Sequence, residues 1–254
     1  MSAAFGAALL LAVLIGLSLG TLGSGGSIIT LPVLVYVARV PAHDAVGMSL
    51  VIVGATAAIG SLVQSRHAGI DARAAAVFAA TGAVGAFAGA RLTHLVSGDA
   101  LMGIFAVLMT IAGWRMLVRG GSEGGAQTCS FRRCAGIGVA LGVLTGFLGV
   151  GGGFLIVPAL VLFAGIDMKR AVPTSLAIIA CNCLGGFAGQ FRHAAVDWPL
   201  TAAFLGSALA GMAGGSVITR RVSADGLRRA FAWAVIALGS AILAGQALGR
   251  AGLV

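Results

Sequence analysis

Gln64-Ser65-Arg66-His67 and, 126 positions later, Gln190-Phe191-Arg192-His193 place charged and hydrogen-bonding side chains in a very apolar chain. A guanidinium offers planar, permanently charged donors that suit the trigonal oxygens of an oxyanion. Histidine donates a hydrogen bond and titrates near neutral pH, and glutamine adds neutral donors. A charge within a membrane marks a substrate or ion path. The competing reading is an interfacial pair, with Arg66 and Arg192 reaching to lipid headgroups. For Arg66, His67, Arg192 and His193 the residue chemistry leaves both readings open. Asp71 and Asp197 follow the two groups, each directly before an apolar run, where an N-cap belongs.

A second pair of motifs is rich in glycine. Gly23, Gly25 and Gly26 lead to Pro32, and Gly149, Gly151 and Gly152 lead to Pro158. Glycine at a helix break lets the backbone turn sharply, and the amides that begin the next helix are left unpaired, a cradle for anions. Gly-rich stretches also pack helices tightly. The duplication at one offset, with proline in the same place, favours the cradle, contributed by Gly25, Gly26, Gly151 and Gly152. Facing half-helix N-termini near the midplane are the expected arrangement.

Ser49 and Ser175 lie deep in apolar runs, and Asn182 is seven residues beyond Ser175, on the same helix face. Such groups either donate to a substrate or bond a neighbouring helix. Gly85-xxx-Gly89 and Gly211-xxx-Gly215 are expected to let helices cross closely. The four cysteines lack metal spacing backed by further ligands and are expected to be structural thiols. No cofactor or metal is implied.

These motifs belong to one duplicated unit. A shift of 126 residues also lays Thr93 on Thr219 and Asp99 on Asp225. Five apolar segments are expected per unit, at about 3–22, 26–39, 44–64, 72–96 and 99–118, then 134–148, 152–166, 171–190, 198–219 and 226–248. The division is a first repeat over 1–118, a basic cytoplasmic linker over 119–133 and a second repeat over 134–254. The second segment of each unit is short for a span of about 20 residues, so the first two form either two spans or a re-entrant hairpin. Both alternatives give the unit an odd net number of crossings. The fold class is therefore an all-α polytopic membrane protein, an inverted-topology repeat of two five-segment units with Gly-rich broken or re-entrant helices.

Charge placement agrees. Twelve of the 16 basic residues fall on one side of this scheme and four on the other. The positive-inside rule makes the basic side cytoplasmic and puts both termini outside. Composition points the same way: 59% of residues are hydrophobic, 9% are charged, and mean hydropathy is +1.07. A net charge of +9 would raise nucleic acid as a partner in a soluble protein. Here the arginines sit in short breaks between apolar runs and form no basic face with interleaved aromatics, so nucleic acid is excluded.

At the Gly-Gly blocks with Pro32 and Pro158, the Ser49 and Ser175 helices and the Gln-x-Arg-His ends, the chain resembles the sulfite exporter TauE/SafE family. The resemblance runs from about Leu10 to Leu248. It implies a multi-pass transporter of the bacterial inner membrane for small sulfur-containing anions such as sulfite, thiosulfate or organosulfonates, and no enzyme. The expected activity is export of the anion by alternating access, with proton-coupled uptake as the same-class alternative. A membrane-embedded enzyme using Cys181, Cys183 and His193 lacks a catalytic carboxylate nearby, and a structural subunit would tolerate loss of the paired arginines. The expected partners are a small anion and the lipid bilayer, with a homodimer plausible from the small-residue faces.

Overall fold

The computed structural model describes residues 2–22, 25–118, 131–148, 153–162, 164–191 and 195–219, and beyond these 223, 226, 229, 232–233, 236–237 and 239–245. Gly151, Gly152, Arg192, His193 and residues 119–130 of the linker lie outside the described residues, as does the side chain of His67.

Nine α-helices run through the described residues, with no strand among them. They are α1 (Ser2–Leu22), α2 (Gly25–Pro32), α3 (Ala42–Ala68), α4 (Ala72–Leu92), α5 (Gly98–Val118), α6 (Phe131–Leu148), α7 (Gly153–Leu162), α8 (Met168–Gln190) and α9 (Trp198–Thr219). A π-helical turn, Val33–Val37, extends α2, and a 3-10 turn, Thr93–Leu95, extends α4. Residues 239–245 are helical as well. All-helical structure follows from apolarity, because a segment in hydrocarbon must satisfy its own backbone groups. Among the described residues, four helices are long and apolar enough to cross a bilayer, along Ala42–Arg66, Ala72–Leu92, Lys169–Gln190 and Trp198–Val217. By contrast α2 and α7, at 8 and 10 residues, rise only about 12–15 Å each.

Large apolar side chains lie on the surface as well as in the core, and several hydroxyls and amides are buried among the core residues. Leu10 and Leu184 are each 71% exposed and Trp114 64%, whereas Ser49, Thr56, Asn182 and Gln190 are buried. Apolar side chains on the outside and hydroxyls and amides on the inside are what a lipid solvent selects.

The helices pack between the two repeats. α1 lies on α9 and α6 on α4, in both cases running in the same direction, while α3 and α8 run antiparallel. Glycine makes the close pairs possible. A Cβ on Gly16 would strike the carbonyl of Ala208, and one on Gly142 would strike that of Gly82. Gly20 meets Met212 as Gly146 meets Ala86, and Gly211 meets Val13 as Gly85 meets Val139. Gly215 meets Leu17 as Gly89 meets Val143. Each second contact is the first displaced by 126 residues, so the Gly85/Gly89 and Gly211/Gly215 motifs do bring helices together.

The turns repeat in the same way. Asp71 Oδ1 accepts the N–H of Ala74 at 3.0 Å and Asp197 Oδ1 that of Leu200 at 3.0 Å, so both aspartates are the expected N-caps. After the half-helices, Ala38 N–H donates to Val33 O and Ala164 N–H to Ala159 O, each spanning five residues. The next residue in each copy has a positive φ: Arg39 at 55° and Gly165 at 65°. An L side chain in this left-handed region costs about 1–2 kcal/mol. Gly165→Ala should therefore lower stability by about that amount, whereas Arg39→Ala, where the cost is already present, should change little. Thermal unfolding of both variants in detergent checks this, and equal shifts would mean that the 165 turn relaxes freely.

Candidate functional site

The antiparallel α3–α8 pair gives the bundle two polar ends. At the first, α3 finishes beside the start of α8: Ser61 Oγ donates to Pro173 O (3.4 Å) and Asp71 N–H to Thr174 Oγ1 (3.0 Å). At the second, α8 finishes beside the start of α3: Gln190 Nε2 donates to His43 O (3.4 Å) and Ala195 N–H to Asp44 Oδ1 (3.0 Å). Six exposed cations among the described residues divide accordingly. Arg66, Arg73, Lys169 and Arg170 decorate the helix ends that meet at the first end, and Arg39 and Arg91 those at the second.

Each glycine break follows a helix tied down near one of these ends. α1 is held by Gln64, buried on α3, whose Nε2 donates to Gly20 O at 2.8 Å, three residues before Gly23. α6 is held by Thr93, fully buried after α4, whose hydroxyl donates to Phe147 O at 2.9 Å. Both bonds satisfy carbonyls in the last turn of a helix, which have no intrahelical partner. α1 and α6 therefore finish toward opposite ends of the bundle. The reason is that α1 runs parallel to α9 and α6 to α4, so the two interrupted helices enter from opposite sides. Gly25 and Gly26 open α2, whose first amides have no partner within the helix.

The serines sort with these ends in a crossed manner. Ser175, of the second repeat, lies two residues beyond Pro173 and so sits at the Gln64 end. Ser49, of the first repeat, is one residue from Leu50, which packs against Gly186 near the Gln190 end. Both hydroxyls donate to their own helix, Ser49 to Val46 O (2.9 Å) and Ser175 to Val172 O (2.8 Å). Gln64 faces inward while Arg66, two residues later, is exposed. The structure thus brings Gln64 and Ser175 to one end and Gln190 and Ser49 to the other. Gln190 Oε1 is buried without a hydrogen-bond partner, as is Asn182 Oδ1, midway along α8 against Gly82 of α4. Thr93 is the residue missed by attention to charge and glycine, although its alignment with Thr219 in the repeat marks it.

A cavity of about 310 Å³ between α3 and α8 is lined by Leu50, Gly54, Ala58, Cys183, Leu184, Phe187 and Trp198 among others. Its apolar walls suit hydrocarbon and not an anion. Cys181 and Cys183 are free thiols on α8. Cys134 is disulfide-bonded, which corrects the expectation of a free thiol there.

An apolar exterior, hydroxyls and amides buried in an apolar core, two interrupted helices and a polar cluster at each end are the attributes of a multi-pass membrane transporter. The chain belongs to the sulfite exporter TauE/SafE family, whose model matches residues 8–242. A "Probable membrane transporter protein" of Xylella fastidiosa (strain 9a5c) is 34% identical over 233 residues, covering 89% of each chain. "Probable membrane transporter protein YdhB" of Bacillus subtilis (strain 168) is 26% identical over 212 residues, covering 81% of this chain and 86% of its own. YunE of the same organism is 25% identical over 240 residues, covering 83% and 88%. No solved structure matches the chain.

Proposed function

We propose that this transporter exports a small sulfur-containing anion, sulfite or an organosulfonate, across the bacterial inner membrane by alternating access between inverted repeats. The observation that carries the reading is the pairing of a glycine break with a buried hydrogen-bonding anchor toward each end of the bundle: Gln64 before the first break and Thr93 before the second. Helix-start amides at Gly25 and Gly26, and their counterparts at Gly151 and Gly152, supply neutral donors to an oxyanion. Arg66 and Arg192, with His67 and His193, supply charge and further donors at the two mouths. The contacts displaced by 126 residues and the antiparallel α3–α8 pair support the inverted relation. The cations gathered at the Gln64 end support a cytoplasmic placement of that end and an external placement of both termini.

Energetics favour export. An anion leaving a compartment that is negative inside gains about 2.3 kcal/mol per charge per 100 mV, so outward flux needs no ATP. The test is a flux panel in proteoliposomes with sulfite, thiosulfate, a taurine-like sulfonate and sulfate, under imposed potentials of both signs. Potential-driven flux of a sulfur anion is expected. Flux of none of them, or flux that needs a proton gradient and runs inward, would replace this reading.

A further inference from the structure

α8 touches both polar ends, and from its middle to Gly189, which meets the carbonyl of Phe87, it lies close on α4. Near its start Thr174 Oγ1 accepts the N–H of Asp71 (3.0 Å), and Pro173 O accepts from Ser61 (3.4 Å). At its finish Gln190 donates to His43 O (3.4 Å), and five residues on Ala195 N–H donates to Asp44 Oδ1 (3.0 Å). Asn182 lies eight residues from both Thr174 and Gln190, about 12 Å along the axis in each direction. There the helix rides on α4: Asn182 against Gly82, and Gly185 against the backbone of Ala83. The Asn182 carbonyl oxygen has no hydrogen-bond partner, so packing and not directional bonding holds this contact.

From this geometry we infer that α8 is a rocker, with its fulcrum at Asn182–Gly82, and that Asp71–Thr174 and Asp44–Ala195 are reciprocal latches for the two mouths. The proposal rests on the alternating-access reading above and specifies which contacts open. A stiff helix pivoting at its centre cannot move away from the α3–α4 corner without pressing its other end toward the start of α3. The two latches differ in chemistry, a hydroxyl at one end and a carboxylate at the other, so each is removable alone. Pro173 contributes at the first end: without an N–H it leaves the carbonyl of Lys169 unbonded within the helix and loosens the first turn.

Each latch closes on a backbone amide, so hydrogen exchange reads it directly. The full chain in lipid nanodiscs, with no anion added, is followed at peptides containing Asp71 and Ala195. Thr174→Val should speed exchange at Asp71 about five- to tenfold, the effect of losing one hydrogen bond, and slow it at Ala195. Asp44→Ala should do the reverse, and Thr174→Ser, which keeps the acceptor, should match the wild type. Acceleration confined to the end that was changed, or acceleration at both ends in either variant, overturns the rocker. Because no substrate is present, failure of the sulfur-anion assignment leaves this outcome unaffected. Flux of a sulfur anion without reciprocity would remove the rocker alone.

Discussion

Gly146→Leu should leave almost no folded protein in the membrane extract, and Gly20→Leu should do the same through the other helix pair. Both glycines lie where one backbone rests on another. A Cβ at Gly146 meets the carbonyl of Ala86, and one at Gly20 meets the carbonyl of Met212. Overpacking between side chains costs about 1–3 kcal/mol because rotamers can yield. A carbonyl within a helix cannot yield without moving the helix, so α6 would have to leave α4 and surrender a whole run of close contacts. Thr93, which ties the end of α4 to Phe147, would lose its acceptor in the same movement. The control is Gly206→Leu on α9, where nothing lies within 4 Å of the added atom. Size-exclusion profiles and thermal unfolding in detergent should show the control near the wild type and the other two aggregated. A wild-type melting temperature for Gly146→Leu would mean that the helices slide apart at little cost.

Arg66→Ala and Arg192→Ala should each reduce sulfur-anion flux by about ten- to a hundredfold while the protein inserts and folds normally. Arg66 is exposed at the end of α3 and is not part of the packed interior, so its removal should leave the melting temperature unchanged. A hydrogen bond to a charged group is worth about 1.5–3 kcal/mol, which sets the size of the loss. Arg66→Lys should recover only part of the flux, because an ammonium keeps the charge but not the planar pair of donors. A purely interfacial arginine behaves differently: alanine there leaves flux intact, and lysine is a full substitute. Wild-type rates in both alanine variants would take the two arginines out of the path and leave the helix-start amides and the two histidines as the anion donors proposed.

Segment placement was legible because an apolar run of a given length in lipid has few alternatives to a helix. The expected run at 72–96 is α4 with its 3-10 turn, and 171–190 falls within α8. Asp71 and Asp197 were legible as caps because a short carboxylate before a helix has one local use. Other features depend on partners distant in the chain. Nothing near Gln64 says that its amide reaches Gly20 while Arg66 points outward; the approach of α1 decides that. The crossed placement of Ser49 and Ser175 likewise follows from the antiparallel packing of α3 on α8, and Thr93 shows its role only when α6 is laid beside α4. The disulfide at Cys134 is equally invisible in a sequence whose cysteine spacings fit no framework.

The pairing of α1 with α9 also has a consequence for biogenesis. About 190 residues separate Gly16 from Ala208, so at about 5–20 residues per second the ribosome needs on the order of 10–40 s between them. For that interval the glycine-lined face of α1 waits in the bilayer without its mate. Its apolar composition lets it reside there alone, and the late arrival of α9 closes the structure. Separately translated halves that meet in one membrane face the same task, since the fitting surfaces are divided between them.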